Sequence, residues 1–316
     1  MRAFVTGGTG FLGGRLVERL SERGDDVVAL VRSPAPAERV RALGCAVVEG
    51  DLSSREGLAA AMAGCDAVFH VAADYRIGIS DSERGAMWET NVVGTENVLD
   101  AAVDAGVARA VHVSTNSVVG DTEEQVVDEE YERPPGPFLS VYDDTKLAAH
   151  RAAEERIARG APVIIVQPGG IYGPGDHTEV GRLLGRAFHG KPVVLAFGSV
   201  GLNWGQVDDV VEGLLLAHDR GRVGETYILG GELATLRQAV ERAYAVGGHR
   251  PRIVSVPTSV LLLASPLALL LGRNVREYAS ASDGVTYWGI HAKARRELGY
   301  APAGLDEGLR RTFARE

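Results

Sequence analysis

The stretch from Thr6 to Gly13, which reads TGGTGFLG, constrains the fold more than any other part of the chain. Three of its glycines recur at every third position, namely Gly7, Gly10 and Gly13. Before it, Ala3–Val5 is an apolar run typical of a buried parallel strand, and after it Phe11–Arg23 has the apolar spacing of a helix. This order predicts a site for a dinucleotide pyrophosphate, because glycine lets the backbone approach the phosphates and the N–H groups at the helix start attract the anion. A tight glycine turn without a ligand is the alternative.

The alternation of strand and helix patterns continues through the first half of the chain. Further strand-like runs are Val27–Val31, Ala46–Glu49, Ala67–Val71, Ala110–Val113 and Val163–Val166. Helix-like stretches between them are Arg39–Leu43, Gly57–Met62, Trp88–Ala105 and Tyr142–Arg159. The pattern predicts an α/β fold of the Rossmann type, with a doubly wound parallel sheet covered by helices on both faces. We expect a dinucleotide-binding domain over residues 1–171 and a smaller C-terminal substrate lobe over 172–316, which returns to the main sheet near 201–229.

Length and composition limit the possible classes of protein. A chain of 316 residues is either one large domain or one domain with a smaller lobe. Its net charge of −9, without a cluster of basic residues in the sequence, argues against a nucleic-acid partner. Cys45 and Cys65 have neither disulfide nor zinc spacing, so we expect reduced packing residues and no metal. The first residues lead directly into a strand, which predicts no signal peptide and a cytoplasmic location.

One apolar stretch, Val254–Leu271, could be mistaken for a membrane span. It is interrupted by serine, threonine and proline, and its densest part, Val260–Leu271, is shorter than the roughly 20 residues that cross a bilayer. We therefore predict no integral membrane span. A buried helix, or a helix that faces a second copy in a homodimer, is favoured, and contact with a membrane surface is the alternative.

The end of the second predicted strand indicates which cofactor is bound. An acidic residue at this position accepts hydrogen bonds from the ribose of NAD, whereas an arginine pairs with the 2′-phosphate of NADP. Arg32 occupies the position, and no acidic residue occurs among the next four residues, 33–36. This favours NADP over NAD. Stacking of Arg32 on the adenine is the alternative.

Tyr142 and Lys146 are candidates for acid–base chemistry. Their spacing of four places them on one face of a helix. The ordinary pKa of tyrosine, near 10, is too high for this role, and a neighbouring ammonium together with an oxidised nicotinamide is expected to lower it. Ser114 and Thr115 follow a predicted strand, and ligands of parallel sheets bind at the carboxyl ends of strands. One of these hydroxyls is therefore expected to hold the reacting oxygen, although a surface Tyr–Lys pair without function is the alternative reading.

Together these motifs resemble the extended short-chain dehydrogenases/reductases over nearly the whole chain. The segments that carry the resemblance are Thr6–Gly13, Asp51-Leu52, His70–Ala73, Asn91–Asn97, Gln167–Gly175 and Lys293–Tyr300. Within that family, Ala72–Arg76 and Tyr227–Glu232 are most similar to the dihydroflavonol 4-reductase-like branch, which includes bacterial members labelled hopanoid-associated sugar epimerases.

The motifs and the resemblance imply three sets of site residues. The cofactor set is Gly7, Gly10, Phe11, Leu12, Gly13, Arg32, Asp51, Leu52, Val71, Ala72, Ala73, Tyr142, Lys146, Pro168, Gly169, Gly170 and Ile171. The catalytic set is Thr115, Tyr142, Lys146, Asn91 and Ser114, in which the resemblance assigns Asn91 to a proton-relay water. The substrate set is Tyr75, Thr115, Tyr142, Asn203 and Trp204.

The chain departs from the family pattern at three positions. Thr115 stands where the catalytic hydroxyl is usually a serine, and Ser114 beside it could share the role. Leu202 stands where members that act on nucleotide sugars carry an arginine, so the charged fork for a pyrophosphate is lost. His291 replaces an aspartate that often precedes the last helix, and we interpret it as structural.

The leading hypothesis is an NADP-dependent reductase of a ketone or aldehyde that also catalyses the reverse oxidation. The apolar character of Leu202, Trp204 and Val260–Leu271 favours a hydrophobic or aromatic carbonyl substrate. A nucleotide-sugar epimerase or dehydratase, which uses the same residues with tightly bound NAD, is the alternative. A redox-sensing binding module is a third hypothesis, against which the intact Thr115, Tyr142 and Lys146 argue.

Overall fold

The glycine motif joins the first strand to the first helix in a computed structural model that describes residues 1–263, 265 and 274–314. Within this range the strands are β1 (Arg2–Thr6), β2 (Asp26–Val31), β3 (Ala46–Glu49), β4 (Ala67–His70), β5 (Arg109–Val113), β6 (Val163–Pro168), β7 (Gly170–Tyr172), β8 (Val193–Leu195), β9 (Gly201–Gln206), β10 (Thr226–Leu229), β11 (Glu232–Thr235), β12 (Ile253–Ser255) and β13 (Thr286–Tyr287). The α-helices are α1 (Phe11–Glu22), α2 (Pro34–Ala42), α3 (Arg55–Met62), α4 (Arg84–Trp88), α5 (Gly94–Asp104), α6 (Val141–Ala158), α7 (Glu179–Phe188), α8 (Val207–Arg220), α9 (Leu236–Val246), α10 (Thr258–Leu263), α11 (Val275–Ser280), α12 (Ala292–Leu298) and α13 (Leu305–Phe313).

The main sheet is parallel throughout and has the order β3-β2-β1-β4-β5-β6-β10. Helices α1 and α8 pack on one face, and α3, α5 and α6 pack on the other, each over its own apolar core. The chain builds outward from β1 in one direction and then continues from β4 in the other. The carboxyl ends of β1 and β4 therefore form the topological switch point at which such sheets bind ligands. The predicted doubly wound α/β fold is confirmed.

One of the two longest predicted helices differs from the structure. The stretch predicted as one helix over Trp88–Ala105 consists of α4, a π-helical turn over Glu89–Val93, and α5. A π-helical turn holds more residues than an α-helical turn, so it changes the direction in which the following side chains point. Periodicity alone does not reveal such an insertion, because the residues before and after it keep helical spacing.

The C-terminal lobe is built around two small sheets. One has the order β11-β9-β13 with β7 alongside β9, and the other pairs β8 with β12. The boundary expected after residue 171 falls inside β7, which already belongs to the lobe. Within 201–229, β9 also belongs to the lobe, whereas α8 and β10 pack with the main sheet.

The apolar stretch after β12 is described only in part. Helix α10 exposes Val260, Leu262 and Leu263 to solvent, so this first part of the stretch is not a buried helix. For the rest of Val260–Leu271 the expectation of a buried or dimer-facing helix stays a prediction. Residues 264 and 266–273 lie outside the described range. Among the described residues, no helix is both long enough and apolar enough to cross a membrane.

Close backbone approach explains the glycines of the first turn. Gly7 has a φ of +73°, which lies in the left-handed region that favours glycine. A Cβ atom at Gly13 would lie only 2.1 Å from the carbonyl oxygen of Gly7. Helix α1 can therefore start directly beside the turn only if position 13 lacks a side chain.

Two neighbouring glycines of α1 give a matched test of this constraint. Gly13→Ala is expected to lower the free energy of unfolding by about 1–3 kcal/mol, because the added methyl group overlaps the Gly7 carbonyl. Gly14→Ala places its Cβ 3.5 Å from the Gly8 carbonyl oxygen, and its better helix propensity should raise stability by up to about 1 kcal/mol. Urea denaturation of both variants measures the difference, and equal stabilities would contradict the packing argument.

Candidate active site

The predicted cofactor residues lie along the carboxyl edge of the main sheet. The glycine loop follows β1, Arg32 follows β2, and Asp51 and Leu52 follow β3. Residues 71–73 follow β4, and residues 168–171 lie at the end of β6 and the start of β7. The fold therefore brings segments that are far apart in the sequence to one edge.

The start of α1 fits a bound pyrophosphate. Gly10 is the N-cap residue and provides no side-chain acceptor, and the first turn contains no acidic residue. Gly10 is also exposed. The first N–H groups of a helix have no partner within the helix, and the positive end of the helix dipole adds to their attraction for an anion. The residues present thus suit the pyrophosphate of NAD or NADP.

The Thr6 hydroxyl joins the glycine loop to the segment after β4. Its oxygen accepts hydrogen bonds from the backbone N–H groups of Val71 and Ala72, both at 3.2 Å. It also lies 2.8 Å from Nδ1 of His70, whose Nε2 lies 3.0 Å from the hydroxyl of Thr95. Since the Thr95 hydroxyl donates to the Asn91 carbonyl, it must accept from His70. The proton of the imidazole is therefore on Nε2, and Thr6 donates to Nδ1.

A second histidine stacks on His70 in this buried layer. The ring of His112, on the neighbouring strand β5, lies 5.3 Å from that of His70 at an angle of 28°. Neither ring nitrogen of His112 has a hydrogen-bond partner among the described residues. Burial, and to a smaller extent the charge of Lys146, lowers the pKa of His70 to about 3 and that of His112 well below its ordinary value. Both imidazoles are therefore neutral.

Asn91 connects this layer to α6, the helix that carries Tyr142 and Lys146. Its side-chain amide donates to the Asp74 carbonyl and to the Thr145 hydroxyl, both at 3.0 Å, and its oxygen accepts from the Asp74 N–H at 2.7 Å. Both amide hydrogens of Asn91 are donated within the protein. If a water relays protons here, Asn91 can therefore only accept a hydrogen bond from it. The π-helical turn places it between the loop after β4 and α6, where it holds the two together.

Tyr142 and Lys146 lie one turn apart near the start of α6, as their spacing predicts. The helix start is held by the Ser140 hydroxyl, which accepts from the Asp143 N–H, and by the Glu277 carboxylate, which accepts from the Val141 N–H at 2.7 Å. Lys146 is buried, and its ammonium donates to the Val113 carbonyl at 3.0 Å. This burial lowers the pKa of Lys146 to about 8.

The pKa of Tyr142 is raised, mainly by burial, and the neighbouring Thr115 hydroxyl opposes the shift. In the protein without cofactor, loss of hydration dominates the pKa of Tyr142. The lowering expected from Lys146 together with an oxidised nicotinamide stays a prediction. A raised pKa keeps the tyrosine protonated at neutral pH. This is the state from which it can donate a proton to a carbonyl oxygen.

Ser114 and Thr115 have different surroundings. Ser114 is buried, and its hydroxyl lies 2.9 Å from Nδ1 of His150. Thr115 is partly exposed, and its oxygen accepts from the Ser117 N–H at the start of a short 3-10 helix, Asn116–Val119. Successive residues of an extended chain point to opposite sides, so only one of the two can face Tyr142. Thr115 does so, and the suggestion that Ser114 shares its role does not fit this geometry.

Of the predicted substrate residues, Thr115, Tyr142 and Tyr75 lie at the site, and the other two lie behind it. Tyr75 is 62% exposed, and its ring stands perpendicular to that of Tyr142 with the centroids 4.8 Å apart. Trp204 is only 1% exposed and donates to the Ala234 carbonyl inside the lobe. Asn203 is also buried and packs so tightly against Gly169 that a Cβ there would meet its amide oxygen at 1.7 Å. The interpretation of Asn203 and Trp204 as substrate contacts is corrected, since both support the strand end beside the cofactor residues.

Sequence reasoning missed several residues that position the site. Thr145 lies inside the Tyr-x-x-x-Lys motif, and His70 begins the segment His70–Ala73 that carries the family resemblance, but no positioning role was predicted for either. Glu277 gave no signal in the sequence, because Val141, whose N–H group it binds, lies 136 positions away along the chain.

Comparison with known proteins agrees with this architecture. Residues 3–230 match the model of the NAD-dependent epimerase/dehydratase family. The chain is 36% identical to the 4-hydroxy-2-methyl-3-oxo-4-farnesyl-3,4-dihydroquinoline-1-oxide ketoreductase of Stigmatella aurantiaca, over 95% of this chain and 92% of the relative. It is 31% identical to the 2-alkyl-3-oxoalkanoate reductase of Stenotrophomonas maltophilia, over 99% of both chains. Among solved structures, a DesIV double mutant (dTDP-glucose 4,6-dehydratase) of Streptomyces venezuelae with NAD and DAU bound is similar, with a TM-score of 0.79, 28% identity, and coverage of 99% of this chain and 96% of that one.

The fold and the edge of the sheet thus define an NAD(P)-dependent enzyme with a Rossmann-type domain. The chain belongs to the NAD-dependent epimerase/dehydratase family, within the extended short-chain dehydrogenases/reductases. The family expected from the motifs is confirmed.

The different surroundings of the two hydroxyls can be tested by a pair of substitutions. Thr115→Val is expected to lower kcat by roughly 100- to 1,000-fold, because the reacting oxygen loses a hydrogen-bond donor. Ser114→Ala should instead lower the free energy of unfolding by about 1–3 kcal/mol, because it leaves His150 without its buried partner. Steady-state kinetics and urea denaturation of both variants separate the two effects. A larger loss of kcat in Ser114→Ala would reverse the assignment.

Proposed function

We propose that this protein is an NADP-dependent reductase of a ketone or aldehyde that also oxidises the corresponding alcohol. The observation that carries the proposal is the placement of Tyr142 beside Thr115, with Lys146 one turn away, at the end of the sheet that holds the glycine loop. A protonated tyrosine and a second hydroxyl at one point suit the protonation of a carbonyl oxygen.

Each residue of the proposed site has a separate task. NADPH, when bound, supplies the hydride. The first N–H groups of α1 hold its pyrophosphate, and Lys146 binds the hydroxyls of the nicotinamide ribose. Thr115 donates a hydrogen bond to the carbonyl oxygen of the substrate, and Tyr142 gives that oxygen its proton. In the oxidation, Tyr142 takes the proton back.

The surroundings of the site favour a hydrophobic carbonyl compound. Tyr75 presents an exposed aromatic ring next to Tyr142. Leu202, at the position of the missing arginine, packs against Gly170 and brings no charge. The two reductases described above are named for a farnesylated quinoline oxide and for 2-alkyl-3-oxoalkanoates. Both are carbonyl compounds with apolar chains, which supports the same class of substrate here.

A nucleotide-sugar epimerase or dehydratase remains the second candidate. The similarity to the dTDP-glucose 4,6-dehydratase favours it. Against it stands Leu202, because a diphosphate held without a guanidinium fork loses a strong pair of charge-assisted hydrogen bonds.

The preference for NADP rests on Arg32 and can be measured directly. Arg32 is exposed at the end of β2 and, in the described part of the chain, forms no ion pair. A charge-assisted bond to the 2′-phosphate is worth about 1.5–3 kcal/mol, or roughly ten- to hundred-fold in affinity. NADPH should therefore bind more tightly than NADH, and Arg32→Asp should reverse the order. Fluorescence titration tests this with Arg39→Asp on the nearby α2 as the control, and equal affinities in the unaltered protein would disprove the preference.

Substitutions at two tyrosines in contact, Tyr142 and Tyr75, test the proposed proton transfer. Tyr142→Phe should reduce the turnover of NADPH with a hydrophobic ketone by roughly 10²–10⁴-fold, because it removes the proton donor and keeps the ring. Tyr75→Phe is the matched control, since it removes a hydroxyl from the adjacent ring without removing the donor. Absorbance at the NADPH band follows both reactions, and binding of NADPH should stay nearly unchanged in each variant.

Two outcomes would overturn the proposal. If Tyr142→Phe keeps most of the activity, the proton comes from another group. If the purified protein retains NAD tightly, binds a nucleotide sugar and turns over no apolar ketone, the epimerase or dehydratase function takes its place.

A further inference from the structure

Two segments of the C-terminal lobe contain no acidic residue, although the chain has 42 of them and a net charge of −9. These segments are Val180–Val207 and Arg242–Arg276. They are distant in the sequence, but the fold brings them together because β8 and β12 pair in parallel with Val194 opposite Val254. The two segments therefore meet in the fold, although the sequence does not show them as a single cluster. The carboxylates that adjoin them come from other segments, namely Asp283 beside Ser255–Thr258 and Glu241, which pairs with Arg237.

This region exposes several aliphatic side chains. Val194 is 63% exposed and Val254 is 61% exposed. Paired residues of neighbouring strands point to the same face, so these two valines form one apolar surface. Helix α10 begins shortly after β12 and exposes Val260 and Leu263, the latter to 83%. Exposed apolar side chains that recur over two paired strands and the helix that follows them commonly mark a contact site.

Unpaired cations lie beside these side chains. Lys191 precedes β8 and Arg252 precedes β12, and both are exposed. The Tyr244 hydroxyl lies 2.5 Å from the Lys191 carbonyl oxygen and 3.2 Å from that of Arg252, so it fixes the two strand starts next to each other. Arg237 and Arg242 on the adjacent α9 are ion-paired with carboxylates, whereas Lys191 and Arg252 form no ion pair within the described ranges.

We propose that this surface, formed by Lys191, Val194, Arg252, Val254, Val260 and Leu263, docks on an anionic lipid bilayer. Aliphatic side chains enter the boundary between headgroups and acyl chains, and nearby cations attract anionic headgroups. Because neither of the two segments contributes a carboxylate, the surface repels anionic headgroups less than the rest of this acidic protein does. A symmetric contact with a second copy fits less well, because it would bring the same cations against each other. The proposed contact is peripheral and is independent of the proposed reaction.

Co-sedimentation of the full chain with vesicles tests the proposal. Binding is expected to vesicles of phosphatidylcholine with phosphatidylglycerol, to weaken with salt, and to be weak or absent with phosphatidylcholine alone. The double variant Lys191→Gln/Arg252→Gln should bind about 25-fold more weakly, at about five-fold for each cation near the surface. Val254→Ser/Leu263→Ser should lose at least about ten-fold through the lost apolar burial.

Two matched variants on other surfaces serve as controls. Arg151→Gln removes an exposed cation on α6 that forms no ion pair within the described residues, and Val223→Ser removes an exposed valine before β10. Both should bind vesicles like the unaltered protein, and thermal melting confirms that all four variants are folded. Absence of binding to anionic vesicles, or equal binding by all variants, would overturn the proposal. Light scattering that shows a dimer dissociated by Val254→Ser/Leu263→Ser would assign the surface to a second copy and would also overturn it.

Discussion

The buried Thr6–His70 hydrogen bond holds the rest of the site in place. It lies at the carboxyl ends of β1 and β4. The Thr6 hydroxyl donates a hydrogen bond to His70 and accepts two from the backbone N–H groups that follow β4. Through Thr95 and Asn91 the same network reaches Thr145 on α6. The loop expected to lie under the cofactor and the helix that carries Tyr142 are therefore parts of one rigid, fully paired assembly. Such a network keeps its geometry because each buried polar atom that lost its partner would cost free energy.

Burial, more than the pairing of charges, sets the protonation of the proposed catalytic groups. It lowers the pKa of Lys146 towards neutrality and raises that of Tyr142. Both shifts have the same cause, since a low dielectric surrounding disfavours the charged form of any group. The protein thus holds Tyr142 as a proton donor. A positive charge supplied by an oxidised nicotinamide would favour the phenolate, which is the form that the reverse reaction needs.

The fold could be predicted from the sequence because its signals are local. The glycine loop, the apolar strands and the Tyr142–Lys146 spacing each lie within a few residues, and the order of strands and helices then fixes which ends meet. What could not be predicted depends on contacts between distant segments. The burial of Trp204 and Asn203 follows from packing between β9, β11 and the end of β6. The choice between Ser114 and Thr115 depends on His150, on a different element. The change of direction at Asn91 comes from a π-helical turn that leaves no mark in the periodicity.

The stacked pair of neutral histidines at the edge of the sheet makes the stability of the domain sensitive to acid. Both His70 and His112 are fully buried, and their pKa values are held below the value of about 6.5 that they regain when the chain unfolds. Between about pH 6.5 and the lowered pKa of each ring, the unfolded chain therefore binds protons that the folded protein excludes. In this window, each histidine lowers the free energy of unfolding by about 1.4 kcal/mol for every unit by which the pH falls. Because His70 also fixes the loop after β4, we expect acid to disrupt the proposed dinucleotide site by unfolding the domain around it.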